Sequence, residues 1–277
     1  MSRDSLGRRS RFVRQPTGKR IVLTGRDIKI LHLLYRYRYL RAAQLIAFLQ
    51  PKSEKRFQER LGVLFHETGL ISRPPVQWRY FDPLCSSVIY ELSSQGLSLL
   101  GYQDGLPKRA TTLSRRPNNR KQQFVHAQMI VNILVTTELE TIETPGQRFV
   151  CVDEILARAP EQTRSAKNPL AAPVTIEPCP EFPDLRRPWH THVIPDALYG
   201  IEYLIDRERR YRFWALECEH QSPVRRSRVS ASSRLRKHAA YNALIRSGGF
   251  KTHWGIPNLK LHLVDRWSSI STHKMIA

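Results

Sequence analysis

Apolar positions recur at helical spacing through the first third of the chain and run together like strands in the last third. Thr24-Gly25-Arg26-Asp27 has the form of a capping box, because a Thr hydroxyl and an Asp carboxylate three residues on can satisfy orphan N–H groups. The stripe Ile28, Leu31, Leu34, Tyr35 then predicts a first helix, and Leu45, Ile46, Leu49 predict a second over residues 42–49. Gln50-Pro51-Lys52 breaks that helix. Ser53 caps a third, to residue 67, with Phe57, Leu61, Leu64 and Phe65 inward. Residues 69–73 predict a strand and 88–92 its return, around the break at Pro74-Pro75, and Ser93 caps a further helix through Leu100. Three short helices and a hairpin predict a winged helix-turn-helix whose third helix enters a major groove.

Residues 103–121 are basic and rich in turn residues, which predicts a linker between a domain at 21–102 and a second at 122–277. The second domain is expected to open with a helix over 122–139, buried through Met129, Ile130, Ile133 and Leu134, and to continue with a strand near 148–152. Seven prolines between residues 160 and 188 predict a long irregular loop. Residues 193–204 and 211–219 predict a hairpin turned at 206–210, and residues 230–245 a helix.

Charge adds a partner to this picture. With 45 Lys and Arg against 24 Asp and Glu, the net charge is +21, which favours polyanions because neutralised phosphates release counterions. Residues 1–122 hold 24 of the basic and only 8 of the acidic side chains, so the first domain is the expected DNA-binding surface. Residues 1–20 predict a disordered basic arm, with Arg3, Arg8, Arg9, Arg11, Arg14, Lys19 and Arg20 opposed only by Asp4. On the third helix and the wing, Lys52, Lys55, Arg56, Gln58, Arg60, Arg73 and Arg79 are the candidate DNA contacts, with Trp78 and Tyr80 near the wing tip. A winged helix of this kind can also serve dimerisation, so a homodimer stays open. No apolar run is long enough to span a bilayer and no signal peptide is visible, so a cytoplasmic chain without a membrane partner is expected. The four cysteines stand far apart, which argues against a disulfide framework or zinc ribbon. There is no P-loop, nucleophile elbow or dinucleotide fingerprint.

Candidate chemistry lies at Pro195-Asp196 and Glu217-Cys218-Glu219. A hairpin brings Asp196 and Glu217 to one end of a sheet, where two carboxylates can hold Mg2+ or Mn2+, with the Cys218 carbonyl as a third donor. The nuclease pattern wants Lys two residues after the second acid, and Glu219 stands there instead. Lys237 on the next helix is a candidate substitute, so the catalytic set is Asp196, Glu217, Glu219 and Lys237. The competing reading is a structural acid pair facing Arg210, Arg212, Arg225 or Arg226. A third is a transition-metal set of His190, His192 and His220.

The runs "LTGRDIKILHLLYRYRYLRAAQLIAFL", "RLGVLFHETGLISRP", "YELSSQGLSLLG", "HAQMIVNILV", "VIPDALYGI" and "FWALECEHQS" resemble, in that order, the replication-relaxation family of plasmid and mobile-element proteins. The resemblance implies an α+β chain: an N-terminal winged helix-turn-helix domain followed by a restriction-endonuclease-like, PD-(D/E)xK-type α/β domain. It implies a role in plasmid replication, relaxation or conjugative mobilisation, with DNA and other relaxosome or replication proteins as partners. Asp196 and Glu217 match the family's acids, and Glu219 the second acid it carries in place of the nuclease Lys. Metal-dependent nicking is one expectation. The other is a non-catalytic transcription regulator or relaxosome accessory factor.

Overall fold

The computed structural model describes residues 10–79, 87–104, 121–178, 185–219 and 234–265. It is a mixed α+β chain in two compact units, the first ending at Val131 and the second running from Asn132.

In the first unit, α1 (Gly25–Tyr37) starts as its capping box requires, with Asp27 N–H donating to Thr24 Oγ1 and Thr24 N–H to Asp27 Oδ2 at 2.7 Å. There follow β1 (Tyr39–Arg41), α2 (Ala42–Leu49), α3 (Glu54–Val63) capped by Ser53, and a π-helical turn Leu64–Thr68. Gly69, at φ 65°, closes that turn in the left-handed region, where a side chain would be strained. Next come β2 (Ile71–Ser72), a 3-10 turn Pro75–Arg79, β3 (Ile89–Leu92) and α4 (Ser94–Asp104). The sheet order is β1-β3-β2, antiparallel throughout. The expected hairpin therefore gains a third strand, β1, which at three residues is too short to show a period. Ile30, Leu31, Leu34, Leu45, Phe57, Leu61 and Leu64 are buried, as their spacing predicted for all of them but Ile30, whereas Ile28, Ile46 and Leu49 of the predicted stripes are only half-buried.

α5 (Lys121–Glu143) spans the boundary between the units. Its predicted stripe is corrected: Phe124, Ala127, Ile130 and Val131 are buried, whereas Met129, Ile133 and Leu134 are only half-buried. Two units draw on this helix, so no single stripe describes it. The expected arm is corrected too. Residues 1–9 lie outside the described residues, but Arg14 donates to the carbonyls of His66 and Glu67, and Thr17 N–H to Glu67 Oε2 at 2.8 Å. Carbonyls at the end of a helical turn lack intrahelical donors, and Arg14 supplies them. The proposed linker's residues 105–120 also lie outside the described residues.

The second unit holds β4 (Gln147–Val150), α6 (Val152–Ala157), α7 (Glu161–Arg164), β5 (Ala172–Ile176), β6 (Trp189–Val193), β7 (Ala197–Ile205), β8 (Glu208–Glu219), α8 (Arg234–Arg246), α9 (Gly249–Trp254) and β9 (Lys260–Asp265). The main sheet runs β4-β7-β8-β9, with β9 parallel to β8 and the other pairs antiparallel. β5 and β6 pair as a separate ribbon. The loop expected over 160–188 thus contains α7 and β5. Pro173 is tolerated because, among the described residues, β5 pairs on one side only. Leu198, Phe213 and Ala215 from one face of the sheet pack with Ala240, Tyr241 and Leu244 of α8 and with Phe250 and Trp254 of α9. Gly200 keeps β7 flush against that core, since a Cβ there would come within 2.7 Å of the Phe213 ring. Among the described residues no helix is long and apolar enough to cross a membrane.

One ion pair ties the first unit together. Arg60 Nε and Nη2 bond the two oxygens of Asp27 at 3.0 and 2.6 Å, locking α3 to the start of α1. Burial raises the Asp27 carboxyl, but the bonds from Arg60 and Thr24 outweigh it and hold the pKa below its ordinary value. Since the folded value is the lower one, the stabilisation is complete above the ordinary carboxyl range and is lost as pH falls through the folded value. Asp27→Asn is expected to cost about 2–3 kcal/mol at neutral pH, less than the about 3–5 of a fully buried pair because Arg60 stays 30% exposed. Denaturant unfolding from pH 7 to about 3 should show the gap between wild type and variant closing at the acid end.

Candidate functional site

β7 and β8 are antiparallel with Ala197 opposite Leu216, which sets Asp196, just before β7, beside Glu217. Period-two alternation puts Asp196 and Glu217 on the face shared with Leu198 and Ala215, the face that α8 covers. The expected convergence is thus present. Asp196 Oδ2 accepts the Cys218 N–H at 2.8 Å, continuing the ladder where β7 has not yet begun.

Glu217 is 2% exposed and is met from α8 on both oxygens. Lys237 Nζ donates to Oε2 and the Tyr241 hydroxyl to Oε1, each at 2.6 Å. Residues four apart on a helix share a face, which lets one helix supply both donors. Burial pushes the Glu217 carboxyl up and Asp196 adds to this, while Lys237 and Tyr241 pull it back; the net direction is up. Burial also opposes the charge on Lys237, yet Glu217, with Asp196 and Glu219 behind it, holds that ammonium above its ordinary value. Tyr241 is raised as well, by burial and by Glu217, and so remains a neutral donor. Burial, reinforced by Asp196 and Glu217, pushes the Cys218 thiol up, so Cys218 stays protonated.

The counter-ion for Glu217 is therefore Lys237. Of the arginines named for that role, Arg210 pairs with Glu208, Arg212 is exposed, and Arg225 and Arg226 lie outside the described residues. Glu219, also buried, sits on β8 two residues beyond Glu217. The donor set does not fit a preformed divalent-cation site. Both Glu217 oxygens are engaged by hydrogen donors and one Asp196 oxygen by an amide, and among the described residues no group of three His, Cys, Asp or Glu is placed to hold a metal ion. His190 and His192 stand two apart on β6, and His220 lies outside the described residues.

The candidate DNA contacts divide by burial. Lys52, Lys55, Arg56 and Gln58 are exposed around the start of α3. Arg60 is taken by Asp27. Arg73 is sandwiched 4.2 Å from the Phe65 ring centre and 5.2 Å from that of Tyr90, donates to the Arg11 carbonyl at 2.6 Å, and has its pKa lowered by burial. Both serve the fold, as their sequence positions did not reveal. Arg79 ends the 3-10 turn; its side chain, that of Trp78 and the whole of Tyr80 lie outside the described residues.

The chain matches the model of the replication-relaxation family over residues 31–259, and it belongs to that family. The family ties it to the replication and relaxation of mobile elements. No curated protein and no solved structure matches it.

Removing one partner of the Glu217–Lys237 pair leaves a charge without its counter-ion. Lys237→Met is expected to cost about 2–3 kcal/mol, discounted because the Lys237 side chain remains 37% exposed. Adding Glu217→Gln should recover much of that loss, and a double-mutant cycle by urea unfolding reads the coupling. Losses that simply add would show that the two side chains do not depend on each other.

Proposed function

We propose that this chain is a sequence-reading, duplex-DNA-binding accessory protein of a mobile element, and that its second unit is a nuclease-like scaffold rather than a nuclease. In this reading the first unit is a winged helix-turn-helix and α3 is its recognition helix. The observation that carries the proposal is the division of cations on α3 and just before it. Arg60 is consumed by Asp27, while Lys52, Lys55 and Arg56 stand exposed beside Gln58, a residue able to bond base edges. The net charge of +21 supports a polyanionic partner. Asp196 and Glu217, side by side across the β7–β8 hairpin, support reading the second unit as a PD-(D/E)xK-type domain, and the closing of Glu217 by Lys237 and Tyr241 favours scaffolding over cleavage.

Reversing Lys52, Lys55 and Arg56 to Glu is expected to weaken duplex binding at least tenfold and to flatten the plot of log affinity against log salt by about 3. Reversing the exposed Arg26 and Lys29 of α1 should do much less per charge. Fluorescence anisotropy across a salt series measures both, and equal losses per charge would sink the recognition-helix assignment. Incubating supercoiled DNA with the full chain and Mn2+ tests the second half of the proposal. Nicking that Glu217→Gln abolishes would overturn the scaffold reading.

A further inference from the structure

The second unit contains a cleft of about 950 Å3 between the β5–β6 ribbon and α8, on residues that the acidic cluster does not use. Its lining is of two kinds. Pro173, on the same ribbon face as His192, Pro178 and Ala243 give it apolar walls, while His190 and His192 from β6 and His238, Asn242 and Arg246 from α8 bring polar groups. On α8 the spacing is four and four, so His238, Asn242 and Arg246 form one stripe along the helix. On β6 the spacing is two, so the two imidazoles share a face. Thr175 Oγ1 lies 2.9 Å from His190 Nδ1, which leaves Nε2 as that ring's atom for a ligand. Among the described residues of the lining, Glu177 is the one acid, against Arg246 and three imidazoles.

Apolar walls with a few convergent polar groups suit an organic ligand better than a bare ion. Guanidinium and imidazole N–H groups in that position suit an anion, and phosphate oxygens accept such donors strongly. We propose that this cleft binds a phosphate ester of nucleotide size, with Arg246 and His192 at the phosphate and the apolar wall against the nucleoside. The phosphate belongs either to a free nucleotide or to a single DNA strand. This site is separate from α3 and does not depend on duplex binding by the first unit.

Calorimetric titration of the full chain with thymidine 5′-monophosphate, thymidine and a short oligothymidylate tests it. At least one phosphate-bearing probe should bind, and thymidine at least about tenfold more weakly than that probe. Binding of the mononucleotide assigns the cleft to free nucleotides; binding of the oligomer alone assigns it to a strand. His192→Ala combined with Arg246→Ala, both at exposed positions, should weaken the phosphate probe by a similar factor without lowering the melting temperature. A Lys55→Glu, Arg56→Glu chain should keep this binding, so a failure of duplex recognition is told apart from a failure of the cleft. The proposal is overturned if neither phosphate probe binds the wild type, if thymidine binds as tightly, or if the double variant binds unchanged.

Discussion

A carboxylate buried inside a sheet has to be neutralised, and Glu217 imposes that demand on the whole second unit. An uncompensated charge at 2% exposure would be costly, so α8 has to dock with Lys237 and Tyr241 turned toward β8. The i, i+4 spacing of those two residues fixes the rotation of the helix about its axis, and the two bonds fix its height along the strand. Apolar packing through Ala240, Tyr241 and Leu244 supplies the bulk of the contact but tolerates small slips. The polar pair gives the contact a register. Asp196 then follows without further cause, because the pairing of β7 with β8 leaves it beside the Cys218 N–H.

Asp27 plays the matching part in the first unit. It completes the capping box of α1 and receives Arg60 from α3, so one carboxylate both starts a helix and ties it to another. Arg73, lying over the Phe65 and Tyr90 rings, secures the strand side of the same unit. Net charge therefore overstates what a polyanion meets. Several of the chain's cations are spent inside it, and those that remain on α3 cluster at its N-terminal end.

The parts of the fold that were legible in the sequence are those set by local rules. The capping box at Thr24, the apolar stripes of α1 to α3 and the alternation of β7 and β8 each depend on neighbours a few residues away. What escaped depends on distant ones. The proline-rich stretch hid β5, because prolines argue against strands except at an unpaired edge, and nothing local announces such an edge. The stripe of α5 was misplaced because two units share that helix. At the acidic site the carboxylates were visible as a motif, and Lys237 as a helix residue at suggestive spacing. The role of Tyr241 was not, since a tyrosine on an apolar helix face reads as core until its hydroxyl is seen to meet a carboxylate.

The acid at position 219 finds a physical reason in the same arrangement. Two residues along β8 from Glu217, any side chain shares the Glu217 face, so a Lys there would bring the neutralising cation on the strand itself. Here the cation comes from α8, and a second one beside it would repel Lys237. An acid does the reverse, since Glu219 adds to the field that keeps Lys237 charged. Moving the positive charge from strand to helix thus makes an acid at 219 favourable and makes the integrity of the cluster conditional on the docking of α8. A strand-borne Lys would leave Glu217 neutralised whether or not that helix is in place, whereas the arrangement seen here couples the charge balance of the sheet to the helix that covers it.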